Sequence, residues 1–282
     1  MNKNTFIKIL GIAQDAGIPQ CGCMKDCCKL KWKSFKNRRM VASIGIVDRQ
    51  AGKSWMIDAT PDFKDQWQTL SGCHKNNQID GIFLTHGHIG HFTGLINLEK
   101  AVMNNNLFKV WAMPKLGNLI KNNLPWKSLV DMENIDLKKI GDRKTIVLSK
   151  SVSITPVLVP HRDEFSETVG FVICGLNKKI LFLPDIDSWD QFPEIDEILS
   201  GVDHAFIDGT FFSGDELHSR DMTKVSHPTI LTSLNRLLQH AKKINFIHFN
   251  HTNPVLEENS IEFKTIIKSG FNIANEGDEI SI

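Results

Sequence analysis

The stretch THGHIGHFTGL, residues 85–95, places His86, His88 and His91 within six positions, with Gly90 beside the last of them. It follows the apolar run GIFL (81–84), which reads as a strand. Side chains in extended chain repeat every two residues, so His86 and His88 face the same way and can share one metal ion. His91 falls in the first turn of a following helix, close enough to serve the same cavity at a second ion. Eleven histidines occur in the whole chain, and accident is a poor explanation for so dense a group. A metal is the better one.

Polar residues recur at the ends of other apolar runs. VLVPH ends at His161, LFLPD at Asp185, and FIHFNH carries His248 and His251. Separate segments therefore bring candidate ligands to one rim of a layered sheet structure, where loops commonly carry the chemistry. Eleven β-type runs are spread along the chain, with helical patterns in PDFKDQWQTL (61–70), PKLGNLIKNNL (114–124) and HPTILTSLNRLLQHAKK (227–243). The last of these is expected to start at Ser226 as cap, with Pro228 in its first turn. No repeat of 20 to 50 residues and no low-complexity tract interrupts the order, so a single domain over residues 1–282 is expected.

Composition narrows the partners. Lys plus Arg number 33 against 32 for Asp plus Glu, which gives no argument for a bulk nucleic-acid or membrane partner. A small-molecule substrate fits better. The basic run KLKWKSFKNRR (29–39) reads as a solvated helix face in preference to a surface for RNA or an anionic substrate. No run approaches the ~18 apolar residues of a membrane span, and the opening MNKNTFIKILGIAQ is too soon interrupted for a signal peptide. A cytoplasmic protein is expected. Oligomeric state is not legible, and a homodimer is one open expectation.

Four of the six cysteines lie in CGCMKDCC: Cys21, Cys23, Cys27 and Cys28. That spacing is too tight for a disulfide framework and suits thiolate metal ligands. The adjacent pair strains to serve one tetrahedral ion, so a histidine can replace one sulfur.

Taken together, these residues resemble the metallo-β-lactamase fold hydrolases, whose signature after a strand is Thr-His-x-His-x-Asp-His. Thr85, His86, His88 and His91 match it, and Gly90 stands where the aspartate belongs. The similarity is strongest to the branch holding the pyrroloquinoline quinone biosynthesis protein B and the phosphonate-pathway cyclic phosphodiesterase. It runs the full length through GIAQDAGIPQ, the cysteine cluster, MIDATPDF, THGHIGHFTGL, LFLPDIDSW, IDGTFF and FIHFNHTNP. The resemblance implies an α+β fold, the αββα sandwich of two mixed sheets face to face with helices outside.

It also implies a ligand assignment. His86, His88 and His161 would hold a first metal, and His91, Asp185 and His248 a second, with Asp185 as a bridge; zinc, manganese or iron, one ion or two, would suit the site. Gly90 leaves the second position short of a carboxylate. A water or a nearby carboxylate such as Asp62 is the expected substitute, and an aspartate introduced at position 90 is expected to tighten the second ion if the loop keeps the family's geometry. Cys23, Cys27, Cys28 and His251 are assigned to a structural zinc, with Cys21 competing as fourth ligand.

The expected activity is metal-dependent hydrolysis, in which a metal-bound water loses a proton near neutral pH and attacks a phosphoester, ester or amide. Asp185, His248 and His227 are the catalytic candidates. Asp58 either orients a ligand histidine or ends a strand, while Asp208 and Thr210 read first as turn and capping residues and second as pocket lining. Two other functions suit the same residues: an iron-dependent oxygenase step in quinone cofactor biosynthesis, and a non-catalytic binding module stabilised by metal.

Overall fold

Strict alternation of apolar side chains on both sides of a strand requires cover on both faces, and the first sheet obtains it from a second sheet and from helices. The computed structural model describes residues 4–73, 77–217 and 226–282. Among these, the strands are β1 (Thr5–Gly11), β2 (Ser43–Asp48), β3 (Lys53–Ile57), β4 (Gly81–Phe83), β5 (Phe108–Ala112), β6 (Ile135–Lys139) and β7 (Ile146–Val147). There follow β8 (Ser153–Leu158), β9 (Val169–Cys174), β10 (Lys179–Leu183), β11 (His204–Asp208), β12 (Ile244–Ile247), β13 (Asn272–Ile273) and β14 (Glu279–Ser281). They form two seven-stranded sheets, ordered β14-β1-β2-β3-β4-β5-β6 and β13-β12-β11-β10-β9-β8-β7. Both are mixed: β3 to β6 and β10 to β13 run parallel, and the remaining pairs are antiparallel.

Ile7, Ile46, Ile57 and Phe83 point into the space between the sheets and meet the face of the second sheet that carries Ile154, Phe171, Ile173 and Phe182. Their strand neighbours Phe6, Val47, Met56 and Ile82 point the other way, onto Phe63 and Leu70 of the helix Phe63–Ser71 and Leu116 and Ile120 of the helix Pro114–Asn122. Gly45 sets how closely the first of these helices lies on the sheet. A Cβ there would stand 2.4 Å from Leu70 Cδ1. Adding it would overpack the contact at a cost of roughly 1–3 kcal/mol. This is the αββα arrangement that the sequence implies.

Three strands have no counterpart among the expected ones. β6 is a sheet edge carrying Lys138 and Lys139, a charged pattern that guards an edge and hides the strand from hydrophobic reading. β13 and β14 are edges of two and three residues. The cap expected at Ser226 is instead Thr229, whose side chain accepts from the Thr232 N–H and starts a helix at Ile230–Arg236. Ser226 Oγ takes the Arg162 Nε–H at 2.7 Å. The basic run at 29–39 forms short 3-10 turns, Lys31–Lys33 and Phe35–Asn37, and not a helix face. Among the described residues, no helix is long and apolar enough to cross a membrane.

The two sheets bring the carboxyl ends of β3, β4, β8, β10, β11 and β12 to one rim. Asp58 follows β3, Thr85 and His86 follow β4, His161 follows β8, Asp185 follows β10, Asp208 ends β11 and His248 follows β12. Ligand sites commonly gather at the carboxyl ends of parallel strands, where loops diverge.

Candidate metal centre

Three nitrogens converge at the rim. His86 Nε2 lies 2.9 Å from His88 Nδ1, which lies 3.4 Å from His161 Nε2. Zinc–nitrogen bonds of about 2.0–2.1 Å in a tetrahedron put neighbouring nitrogens about 3.3 Å apart, so this spacing suits ligands of one ion. Burial, with the neighbouring histidines, lowers the pKa of His86 well below the usual range, and that of His88 less strongly. Neutral imidazole is the form that binds a metal.

A second group meets the first through Asp185. Its Oδ1 faces His161 Nε2 at 3.6 Å, and its Oδ2 faces His91 Nε2 at 3.2 Å and His248 Nε2 at 3.5 Å. Asp15 Oδ1 completes this group, 3.4 Å from His91 Nε2. Asp15 Oδ1, His91 Nε2, Asp185 Oδ2 and His248 Nε2 are all buried and make no hydrogen bond. Four convergent orphan atoms are what a buried cation site requires, because uncompensated buried polar atoms are otherwise costly. Burial opposes ionisation of Asp185, yet His248 and His91 outweigh it and hold the carboxyl well below its ordinary range. Burial likewise opposes charge on His91, but Asp58 and Asp185 outweigh it and raise that histidine well above its usual range.

Asp15 was not among the residues expected here. It sits in the loop after β1, within QDAG, which reads as an ordinary turn. Asp62, expected to supply the missing carboxylate, lies elsewhere: its Oδ2 accepts from the Val41 N–H at 2.8 Å, which fastens the strand approach to the helix start. The tightening expected from an aspartate at position 90 requires that the loop keep the family's geometry, and here that space is occupied. A Cβ on Gly90 would fall 2.1 Å from Asp15 Oδ1, so the space is already taken.

Each sheet supplies an aspartate–threonine pair that orients two of the histidines. In the first, Asp58 Oδ2 stands 2.8 Å from His91 Nδ1, and Thr85 Oγ1, donating to Asp58, stands 3.0 Å from His86 Nδ1. In the second, Asp208 Oδ2 stands 2.6 Å from His227 Nδ1, and Thr210 Oγ1, which donates to Asp208 Oδ1 at 2.7 Å, stands 2.9 Å from His248 Nδ1. The hydrogen bonds of these two pairs fix the ring orientation and leave the opposite nitrogen for a ligand. Asp187 Oδ1 lies close to His161 Nδ1, at 2.9 Å, without making an aligned hydrogen bond. Asp208 and Thr210 are thus buried supports and not the helix caps that their sequence context suggests. His227 places a ring nitrogen within 4.8 Å of the ligand atoms of Asp185 and His248. Burial opposes its charge, but Asp208 outweighs that and raises its pKa.

The cysteine cluster forms a separate group on the same side of the chain. Cys23 Sγ is 3.9 Å from Cys27 Sγ, which is 3.9 Å from Cys28 Sγ, and His251 Nδ1 is 3.4 Å from the sulfurs of both Cys27 and Cys28. Zinc–sulfur bonds of about 2.3 Å give tetrahedral edges of about 3.8 Å between sulfurs, so the four atoms suit one zinc. Burial and the neighbouring Cys28 push the Cys27 thiol up to about 12, a crowding that a divalent cation would relieve. Cys21, the competing ligand, is exposed and stands outside the group. Between the two clusters lies a cavity of about 150 Å³ lined by Gln14, Asp15, Gln20, Asn250 and His251 among others.

Comparison with known proteins gives a consistent picture. A family model described as a beta-lactamase superfamily domain matches residues 55–249. The chain is 25% identical to the coenzyme PQQ synthesis protein B of Pseudomonas fluorescens, over 98% of this chain and 99% of the relative. It is similar in fold to the Zn(2+)-bound PqqB from Methylobacterium extorquens, with a TM-score of 0.82 at 23% identity, covering 98% of this chain and 100% of the other. A diphosphatase from the PhnP family matches with a TM-score of 0.71 at 23% identity, covering 99% and 98%.

Proposed function

Because the chain belongs to the beta-lactamase superfamily, we propose that it is a metal-dependent hydrolase acting on a phosphoester, ester or amide of a small cytoplasmic molecule. The observation that carries this reading is Asp185, whose two oxygens face two separate groups of histidine nitrogens across a distance of 3.2–3.6 Å. His86, His88 and His161 would hold one ion, and His91, Asp185 and His248 a second. When bound, such ions supply Lewis acidity and make water a competent nucleophile near neutral pH.

The chain's own residues supply the rest. Asp185, ionised and central, accepts a hydrogen bond from the attacking group and fixes its direction. His227 is held by Asp208 and carries a proton that it can deliver to the leaving group, a contribution typically worth about 10²–10⁴ in rate. Phe165, exposed with its ring 6.1 Å from that of His88, offers apolar contact to the substrate at the open side.

The test uses the full chain loaded with zinc or with manganese and three probes: bis(p-nitrophenyl) phosphate, p-nitrophenyl acetate and a p-nitroanilide. Turnover of at least one is expected, and it should disappear in His88→Ala and Asp185→Asn. No turnover in either loaded form overturns the hydrolase. Iron retained through aerobic purification, with dioxygen-dependent conversion of a quinone precursor, would put the oxygenase in its place.

A further inference from the structure

Gly90 and Asp15 occupy each other's space. The clash that a side chain at position 90 would make is not confined to a flexible tip, since its Cβ would lie 2.6 Å from Asp15 Cα as well as against the carboxyl. The backbone at Asp15 therefore passes where the motif's own aspartate would begin. Its path is fixed on both sides: the Gln14 N–H donates to Phe249 O at 2.9 Å, and Ala13 bridges both Val41 and Phe249. A turn closed by the Gly17 N–H on Gln14 O at 2.8 Å follows, with Gly17 at φ +67, where glycine is favoured. This turn leaves Asp15 Oδ1 buried, without a hydrogen bond, beside three other orphan ligand atoms.

We infer that Asp15 supplies the carboxylate ligand of the second metal position from a different chain segment, and that Gly90 is the space this exchange requires. The inference rests on reading the histidine cluster as a two-metal site. It makes the second site as complete as one built from the usual motif, with Asp15, His91, Asp185 and His248 as its four protein ligands.

Manganese titration of the full chain, with zinc first restored to the thiolate cluster and the histidine site left empty, followed by electron paramagnetic resonance, reads this directly, because Mn²⁺ prefers oxygen and nitrogen ligands over thiolates. The parent should take up two ions and show a spin-coupled pair. Asp15→Asn, which keeps the size and removes the charge, should weaken the second binding step by at least tenfold and abolish the coupled signal while leaving the first step unchanged. Asp15→Ala should do the same. Gly90→Asp alone should weaken the second step, and the double variant Asp15→Gly with Gly90→Asp should bind the second ion more tightly than either single variant.

If both Asp15 variants keep two ions at parental affinity while His91→Ala loses one, Asp15 is not a ligand, although the two-metal site stands. Uptake of fewer than two ions by the parent overturns the inference together with the two-metal reading. A double variant no better than its single variants overturns the exchange.

Discussion

Asp58 Oδ2 lies 2.8 Å from His91 Nδ1, and both side chains are fully buried. The same carboxylate accepts from the Thr85 backbone N–H at 2.8 Å and from the Thr85 hydroxyl. Asp58 thus fixes one histidine directly and the turn that carries His86 and His88 indirectly. Its own backbone is held at φ +69, which residues other than glycine seldom adopt. Asp58→Ala should lower metal affinity at His91 by roughly 10–100-fold, the usual range for losing an orienting partner. Isothermal titration of the variant with zinc after the thiolate site has been filled measures it, and an unchanged affinity would show that the His91 ring is held by packing alone.

The thiolate cluster makes a different prediction for neighbouring cysteines. Cys28→Ser should release zinc and lower the melting temperature by several degrees, since a structural site contributes its binding free energy to folding. Cys21→Ser should change neither, because Cys21 is exposed and outside the cluster. Elemental analysis with calorimetry on both variants decides the matter. Zinc loss in the Cys21 variant would mean that the ligand set differs.

His227 and the metal ligands can be separated by the leaving group. His227→Ala should leave metal content at the parental level and lower kcat by about 10²–10⁴ for a substrate whose leaving group needs a proton. For p-nitrophenol, which departs as an anion without help, the loss should be much smaller. Equal losses for both leaving groups would assign His227 to substrate binding. Asp208→Asn should reproduce the pattern in weaker form, because Asp208 binds the Nδ1 side of the ring and, against the opposing effect of burial, favours its protonated form, leaving the opposite nitrogen to give up the proton.

Glu276 gives the stability a pH dependence. It accepts from the Met40 N–H, and burial pushes its carboxyl up from 4.5 to about 7. The folded chain therefore holds a proton that the unfolded chain has lost between about pH 4.5 and pH 7, and stability falls as pH rises through that window. Above it the cost levels off at up to about 3 kcal/mol. Glu276→Gln should flatten the curve and make the protein more stable than the parent at pH 8. Urea unfolding at intervals from pH 5 to pH 8 tests this, and parallel curves for the two proteins would exclude Glu276 as the source.

Much of the candidate site was legible because its residues stand at the ends of apolar runs, a local signal. His86, His88, His91, His161, Asp185 and His248 all come to one rim, and Cys23, Cys27 and Cys28 meet His251. Asp15 was not legible, because its qualification is an approach to Gly90 across 75 positions of sequence, which no local pattern records. Asp208 and Thr210 failed for a related reason. Short polar residues after a strand serve equally well as caps or as supports, and only their burial against His227 and His248 separates the two. The edge strand β6 was hidden by its lysines, whose charge protects the edge and masks the strand pattern.

The contact of Cys28 with His251 joins residues 223 positions apart. A cation held there acts as a crosslink over nearly the whole chain, and by the chain-entropy account a crosslink of that length removes about 5 kcal/mol of freedom from the unfolded state. The loop that bears Asp15 runs from β1 directly into this tether, and the Gln20 N–H donates to Cys28 Sγ at 3.4 Å. A chelator that strips the sulfur-bound ion therefore loosens the beginning of the chain from its end, and with it the arm that reaches the histidines. Purification conditions chosen to protect thiols would then decide how many ions the neighbouring histidine cluster retains.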